Sequence, residues 1–128
     1  MPDLSGRCAI VTGGITGQGL AIAHELARQG AHVAVDSYVS EAAGRLGDAA
    51  AYPDPAEIIA VRTGLEEHGH RVFAGHLDVR NSDSIKQFLG AANAACGPGD
   101  ILVNAAGTTA EQPVVGHSDE LWLKIIDT

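Results

Sequence analysis

Aromatic residues are nearly missing from this chain, with Phe, Trp and Tyr together making up 4% of it. Its core must therefore be packed by Ala, Val, Ile and Leu, which together with 16 glycines suits thin α/β layers joined by tight backbone turns. Cysteine is equally scarce. Cys8 and Cys96 form no Cys-x-x-Cys and no Cys/His signature, which argues against a disulfide scaffold and leaves them as small buried hydrophobes. Cations are few, and Arg7, Arg28, Arg45, Arg62, Arg71, Arg80, Lys86 and Lys124 are scattered singly through a chain of formal charge -8. With no basic stripe to release counterions, nucleic acid is not an expected partner. No apolar run approaches the ~18–20 residues of a membrane helix, and the opening stretch to Arg7 lacks the charged and apolar regions of a leader. A cytoplasmic protein with no membrane contact is the expectation.

What is present reads as one domain, because 128 residues with 45% in the hydrophobic class can build a single core. Cys8-Ala9-Ile10-Val11 does not alternate, as suits a strand covered on both faces. Leu20, Ile22, Ala23, Leu26 and Ala27 recur at helical spacing between Gly17 and Gln29, and Gly30 stops that helix. A second strand is predicted at His32 to Asp36, a helix from Ala56 to about His68, and a third strand from Arg71 to Leu77. Ser82 is the predicted N-cap of a helix carrying Ile85, Phe88, Leu89 and Ala92, and Gly97-Pro98-Gly99 separates it from a fourth strand, Ile101 to Asn104. The alternation of strand and helix specifies a doubly wound parallel α/β sheet, for which the Rossmann type, with its first four strands in the order 3-2-1-4, is the expectation. Residues 37–55, with Gly44, Gly47, Pro53 and Pro55, form a long insertion where loops of ~2–6 residues are usual.

The chemistry is concentrated where the first strand gives way to the first helix, at Thr12-Gly13-Gly14-Ile15-Thr16-Gly17-Gln18-Gly19. Glycines there permit a tight turn and let backbone N–H groups approach a diphosphate, while the helix N-terminus supplies partial positive charge. Asp36 closes the second strand near the ~20-residue offset expected of a carboxylate that accepts hydrogen bonds from ribose hydroxyls. A 2′-phosphate would face that charge with no Lys or Arg between Gly13 and Gly19 to compensate, so NAD is expected over NADP.

The glycine spacing departs from Gly-x-Gly-x-x-Gly. Thr12, Gly13, Gly17 and Gly19 instead match the Thr-Gly-x-x-x-Gly-x-Gly of the short-chain dehydrogenase/reductase family, which the chain resembles over nearly its whole length. The resemblance extends to Leu77-Asp78-Val79, whose Asp78 the family uses for the adenine amino group, and to Asn104-Ala105-Ala106-Gly107, which lines the cofactor groove. It implies an oxidoreductase moving a hydride between NAD and a small alcohol or carbonyl substrate, as a homo-oligomer. The cofactor-binding residues implied are Thr12, Gly13, Gly17, Gln18, Gly19, Asp36, Asp78, Val79, Asn104, Ala105, Ala106 and Gly107. The 37–55 insertion resembles one found in the mycofactocin-associated dehydrogenases related to carveol dehydrogenase, where it folds over the cofactor.

The family's acid/base machinery is not in this sequence. It pairs a Tyr with a Lys four residues later and a Ser upstream, but Ala42 and Ala56 follow Tyr38 and Tyr52 at that distance. The chain is therefore expected to contain no catalytic residue. A family Asn would fall just beyond Thr128, and the last helix, capped by Ser118 and bearing Leu121, Trp122, Ile125 and Ile126, ends without a stop signal. The terminus reads as a cut through a longer domain. The alternative is a non-catalytic module that binds a dinucleotide or a partner. The 6 histidines are dispersed in sequence and predict no metal site.

Overall fold

The computed structural model of the chain describes residues 3–38, 54–106, 119, 120 and 123. Four parallel strands form its sheet in the order β3-β2-β1-β4: β1 is Cys8–Thr12, β2 His32–Ser37, β3 Val72–His76 and β4 Ile101–Asn104. The predicted α/β class and strand order are thus observed. Between the strands run α1, Gly17–Arg28, α2, Pro55–Glu66, and α3, Ser82–Cys96.

Each helix starts for a local reason. Asp54 caps α2 by accepting the Glu57 N–H at 2.8 Å, with Pro55 in the first-turn position that tolerates a missing donor. Asn81, not Ser82, caps α3: its side-chain oxygen accepts from Asp83 N at 2.9 Å and Ser84 N at 3.2 Å. The expected cap was one residue late because Ser82 already has helical backbone, whereas Asn81 is extended and holds its oxygen under two free amides. The helix predicted to reach His68 ends at Glu66, and Gly69 turns the chain with φ +88.

The sheet separates two apolar layers. Ala9, Val11, Val33 and Val35 face Ala23 and Ala27 of α1 and Leu65 of α2. Ile10 and Ala34 face Phe88 and Ala92 of α3. Side-chain alternation along β1 and β2 produces this sorting. Each fully buried Val or Leu contributes roughly 1.5–3 kcal/mol, and this burial holds the central strands in place. Cys8 and Cys96 are free and both 3% exposed, as their reading as buried hydrophobes expected. Burial is the main cause that raises both thiols, Cys96 to about 11. Most of the 37–55 insertion, Gly107 and most of the last predicted helix, Ser118 included, lie outside the described residues. Among the described residues, no helix is long and apolar enough to cross a membrane.

Candidate dinucleotide site

All four strands point their C-terminal ends toward one edge of the sheet, the edge where open α/β sheets bind ligands. There the chain leaves β1 at Thr12 and turns into α1. Gly13, at φ +67, is pressed against the segment that follows β4, so that a Cβ would stand 2.9 Å from Ala106 Cα. Gly19 is still tighter: a Cβ there would come within 2.2 Å of the Gly13 carbonyl oxygen. Only glycine lets the first turn of α1 lie this close to the bend. At Gly17, by contrast, a Cβ would meet nothing within 4 Å, and the bend is open on that side.

Thr12 fastens the bend to β4. Its Oγ1 accepts from both Ala105 N and Ala106 N at 3.2 Å, and its carbonyl oxygen accepts from Ala105 N at 3.2 Å. Asn104 pairs with Thr12 in the register of β1 and β4 and is exposed. Thr12, Gly13, Asn104, Ala105 and Ala106 are therefore contiguous, as the sequence motifs required. The first turn of α1 differs electrostatically from those of α2 and α3, which have Glu57 and Asp83 in place. It contains no acid, and Thr16 makes no side-chain cap bond. The amides of Gly17, Gln18 and Gly19 belong to the turn that no intrahelical carbonyl satisfies, and the helix dipole points its positive end there.

Asp36 lies beneath this turn. Its Oδ1 accepts the Gly13 N–H at 3.1 Å, and it is buried in the core, at 1% exposure. Its Oδ2 is buried without a hydrogen-bond partner. Burial raises its carboxyl to about 7, against the opposing effect of the Gly13 N–H. Asp78 has a wetter setting: burial pulls its pKa upward, but hydrogen bonds and charge from Arg80 hold it below the ordinary carboxylate value. The Arg80 Nε lies 3.1 Å from Asp78 Oδ1, and its guanidinium stands over the Tyr38 ring at 5.9 Å. The Asp78 N–H donates to Ser84 Oγ at 2.9 Å, and Val79 packs against the α3 layer.

Sequence reasoning missed three contributors here. Gly14 was read only as part of a glycine run, yet a Cβ on it would stand 2.8 Å from Val35 Cγ1, which keeps the bend seated on β2. Ile15 is a core residue at the floor of the turn. Ser37 ends β2 beside His76 of β3, one residue beyond the expected strand end. Away from the site, His24 Nδ1 and His68 Nε2 lie 2.9 Å apart, a pairing that spacing along the chain did not reveal.

The sequence model of the family described as short chain dehydrogenase matches residues 7–128. A 2,3-dihydro-2,3-dihydroxybenzoate dehydrogenase of Bacillus subtilis (strain 168) is 33% identical over 119 residues, covering 93% of this chain and 40% of that protein. Among solved structures, a dehydrogenase/reductase from Sinorhizobium meliloti 1021 superposes with a TM-score of 0.79 at 33% identity, over 98% of this chain and 44% of the other. The L-sorbose reductase from Gluconobacter frateurii, complexed with NADPH and L-sorbose, gives a TM-score of 0.77 at 28% identity, covering 94% and 41% respectively. The chain thus spans less than half the length of the relatives it matches.

Proposed function

The chain belongs to the short-chain dehydrogenase family, and from that membership we propose that residues 1–128 supply the nicotinamide-dinucleotide-binding half of an oxidoreductase. The observation that carries this reading is the bend between β1 and α1: a glycine turn open at Gly17, in front of a helix start with neither acid nor side-chain cap. The diphosphate would accept hydrogen bonds from the amides of Gly17, Gln18 and Gly19, with Thr12 and Gly13 holding the bend in shape. Asp78 and Val79 would border the adenine, and Asn104, Ala105, Ala106 and Gly107 the groove beyond. The dinucleotide supplies the hydride chemistry, and the chain binds and orients it. In the whole protein the substrate would be a small alcohol or carbonyl compound, and a cytoplasmic homo-oligomer remains the proposed state.

Two dinucleotides are in question, each with an observation in its favour. NAD is favoured by the lack of any Lys or Arg from Thr12 to Gly19 and by the carboxylate of Asp36, whose unpartnered Oδ2 would accept from a ribose hydroxyl. NADP is favoured by the commitment of that carboxylate to Gly13 and by the NADPH bound in the sorbose reductase relative.

A second reading, a non-catalytic binding module, is favoured by the missing Tyr-x-x-x-Lys. Titration of the folded chain with NAD, NADH, NADP and NADPH tests the first proposal, which fails if none associates. Alcohol-dependent reduction of NAD or NADP by the chain alone would exclude the second.

A further inference from the structure

Spacing along the chain predicts no metal site, but folding brings two histidines together on the side of the sheet that α1 and α2 cover. His24 lies in the second half of α1, and His68 just beyond the end of α2. His24 Nδ1 and His68 Nε2 face each other at 2.9 Å, with the two rings edge to face at 72° and both side chains half-buried. Gly64, about one helical turn before His68, leaves room for this meeting. Outside its own helix a Cβ there would meet His24 Cε1 at 3.8 Å, so a side chain longer than that of alanine would enter the space of the ring. The pair stands about 10 Å along α1 from Gly17 and is no part of the glycine bend.

We propose that His24 and His68 form a binding site for a divalent transition-metal ion of the nickel or copper class, held through His24 Nδ1 and His68 Nε2 with water in its remaining positions. The separation of the nitrogens carries the choice of metal. With metal–nitrogen bonds of about 2.0 Å, ligands at right angles stand about 2.8–3.0 Å apart and ligands at tetrahedral corners about 3.3 Å apart. The observed 2.9 Å fits the right angle of square-planar or octahedral coordination. In the neutral pair one facing nitrogen donates its proton to the other. On metal binding that proton moves to the far nitrogen of the same ring, and both facing lone pairs reach the ion with no net proton released. The surroundings favour a cation, because α2 directs the negative end of its dipole toward His68, whose N–H donates to the Leu65 carbonyl. Nearby carboxylates are engaged elsewhere, Glu25 with Arg28 and Glu66 with Arg62. Among the described residues no group of three His, Cys, Asp or Glu side chains could hold a metal, which fits a partly hydrated ion and not a closed four-ligand zinc site.

The test uses the whole chain without a histidine tag, with nickel(II) and copper(II) chloride as probes near neutral pH and folding checked by circular dichroism. Nickel should raise the melting temperature of wild type by on the order of 5 °C at ten times its dissociation constant. His24→Ala and His68→Ala should each lose that rise and bind nickel at least about tenfold more weakly. His70→Ala should keep it, since His70 belongs to another pair in ring contact, with His32, whose Nδ1 already accepts the Arg71 N–H. Electron paramagnetic resonance of copper bound to wild type should show two coordinating nitrogens. A wild type with no rise, a rise that survives in both His24→Ala and His68→Ala, or one that disappears in His70→Ala overturns the proposal. Should His24→Ala or His68→Ala not fold, the copper spectrum of wild type decides, with fewer than two nitrogens against the site.

Discussion

Asp36 brings an ionisable group into the core in exchange for one hydrogen bond to Gly13, and a consequence for stability follows from the sign of its shift. Its carboxyl, ordinarily near 3.8, is raised to about 7 by burial, so the fold favours the protonated form. That contribution is complete below about pH 4 and is lost as the pH rises through about 7, a swing on the order of 4 kcal/mol at most. Wild type should therefore melt progressively lower from pH 5 to pH 8 relative to Asp36→Asn, which has no such proton to lose. Parallel melting curves for the two proteins across that range would refute the account. Thr12 offers a second test, since its Oγ1 serves two backbone amides of the segment after β4. Thr12→Val should cost about 1–3 kcal/mol in urea unfolding, and Thr12→Ser much less, because only the former removes the Oγ1 that the Ala106 N–H donates to, while the Ala105 N–H keeps the Thr12 carbonyl.

At the scale of elements, the described helices divide by how their first turns are satisfied. Both α2 and α3 have a capping side chain and an acid in the first turn, whereas α1 has neither and packs its first turn against the bend through Gly19. Glycines in the two kinds of helix should thus respond oppositely to a methyl group. Gly90 of α3 has nothing within 4 Å of an added Cβ, and Gly90→Ala should stabilise by about 0.5–1 kcal/mol through helix propensity alone. In Gly19→Ala the methyl would collide with backbone, and that variant should lose both dinucleotide binding and stability. Equal thermal shifts of the same sign in the two variants would show that the close packing around the bend has been misjudged. The α3 cap belongs to the same ledger of local signals: Asn81→Ala should cost about 1 kcal/mol, and Ser82→Ala little.

For the molecule as a whole, the determining feature is an asymmetric sheet. Among the described residues, β1 and β2 are paired on both sides, while β4 is paired on one side and exposes Leu102 at 62%. An apolar edge strand is a template for further pairing. Leu102→Lys should accordingly reduce concentration-dependent association measured by sedimentation, and identical sedimentation of wild type and variant over a wide concentration range would count against an adhesive edge. The relatives are more than twice as long as this chain, so the groups that act on an alcohol or carbonyl carbon are proposed for the remainder of such a protein.

The fold was legible from residue order because parallel α/β layers are specified by local information. Apolar runs such as Ile101-Leu102-Val103, helical spacing from Leu20 to Ala27, and turn glycines at Gly30 and Gly69 each act within a few residues, and their alternation leaves few topologies. The glycine bend was legible too, since its spacing states a backbone requirement that no other residue meets. What spacing could not convey was direction. A count along the chain located the carboxylate of Asp36 at the end of the second strand, while which face of β2 each side chain takes depends on register with β1 and β3 and on the helix covering each face. The same holds for Cys8 and Cys96, both buried, and for His24 of α1 meeting His68 just beyond the end of α2. Sequence alone determined that a glycine bend leads into the first helix. Tertiary structure decided where the neighbouring acid points, because burial and the hydrogen bond to Gly13 exist only once β2 lies against β1.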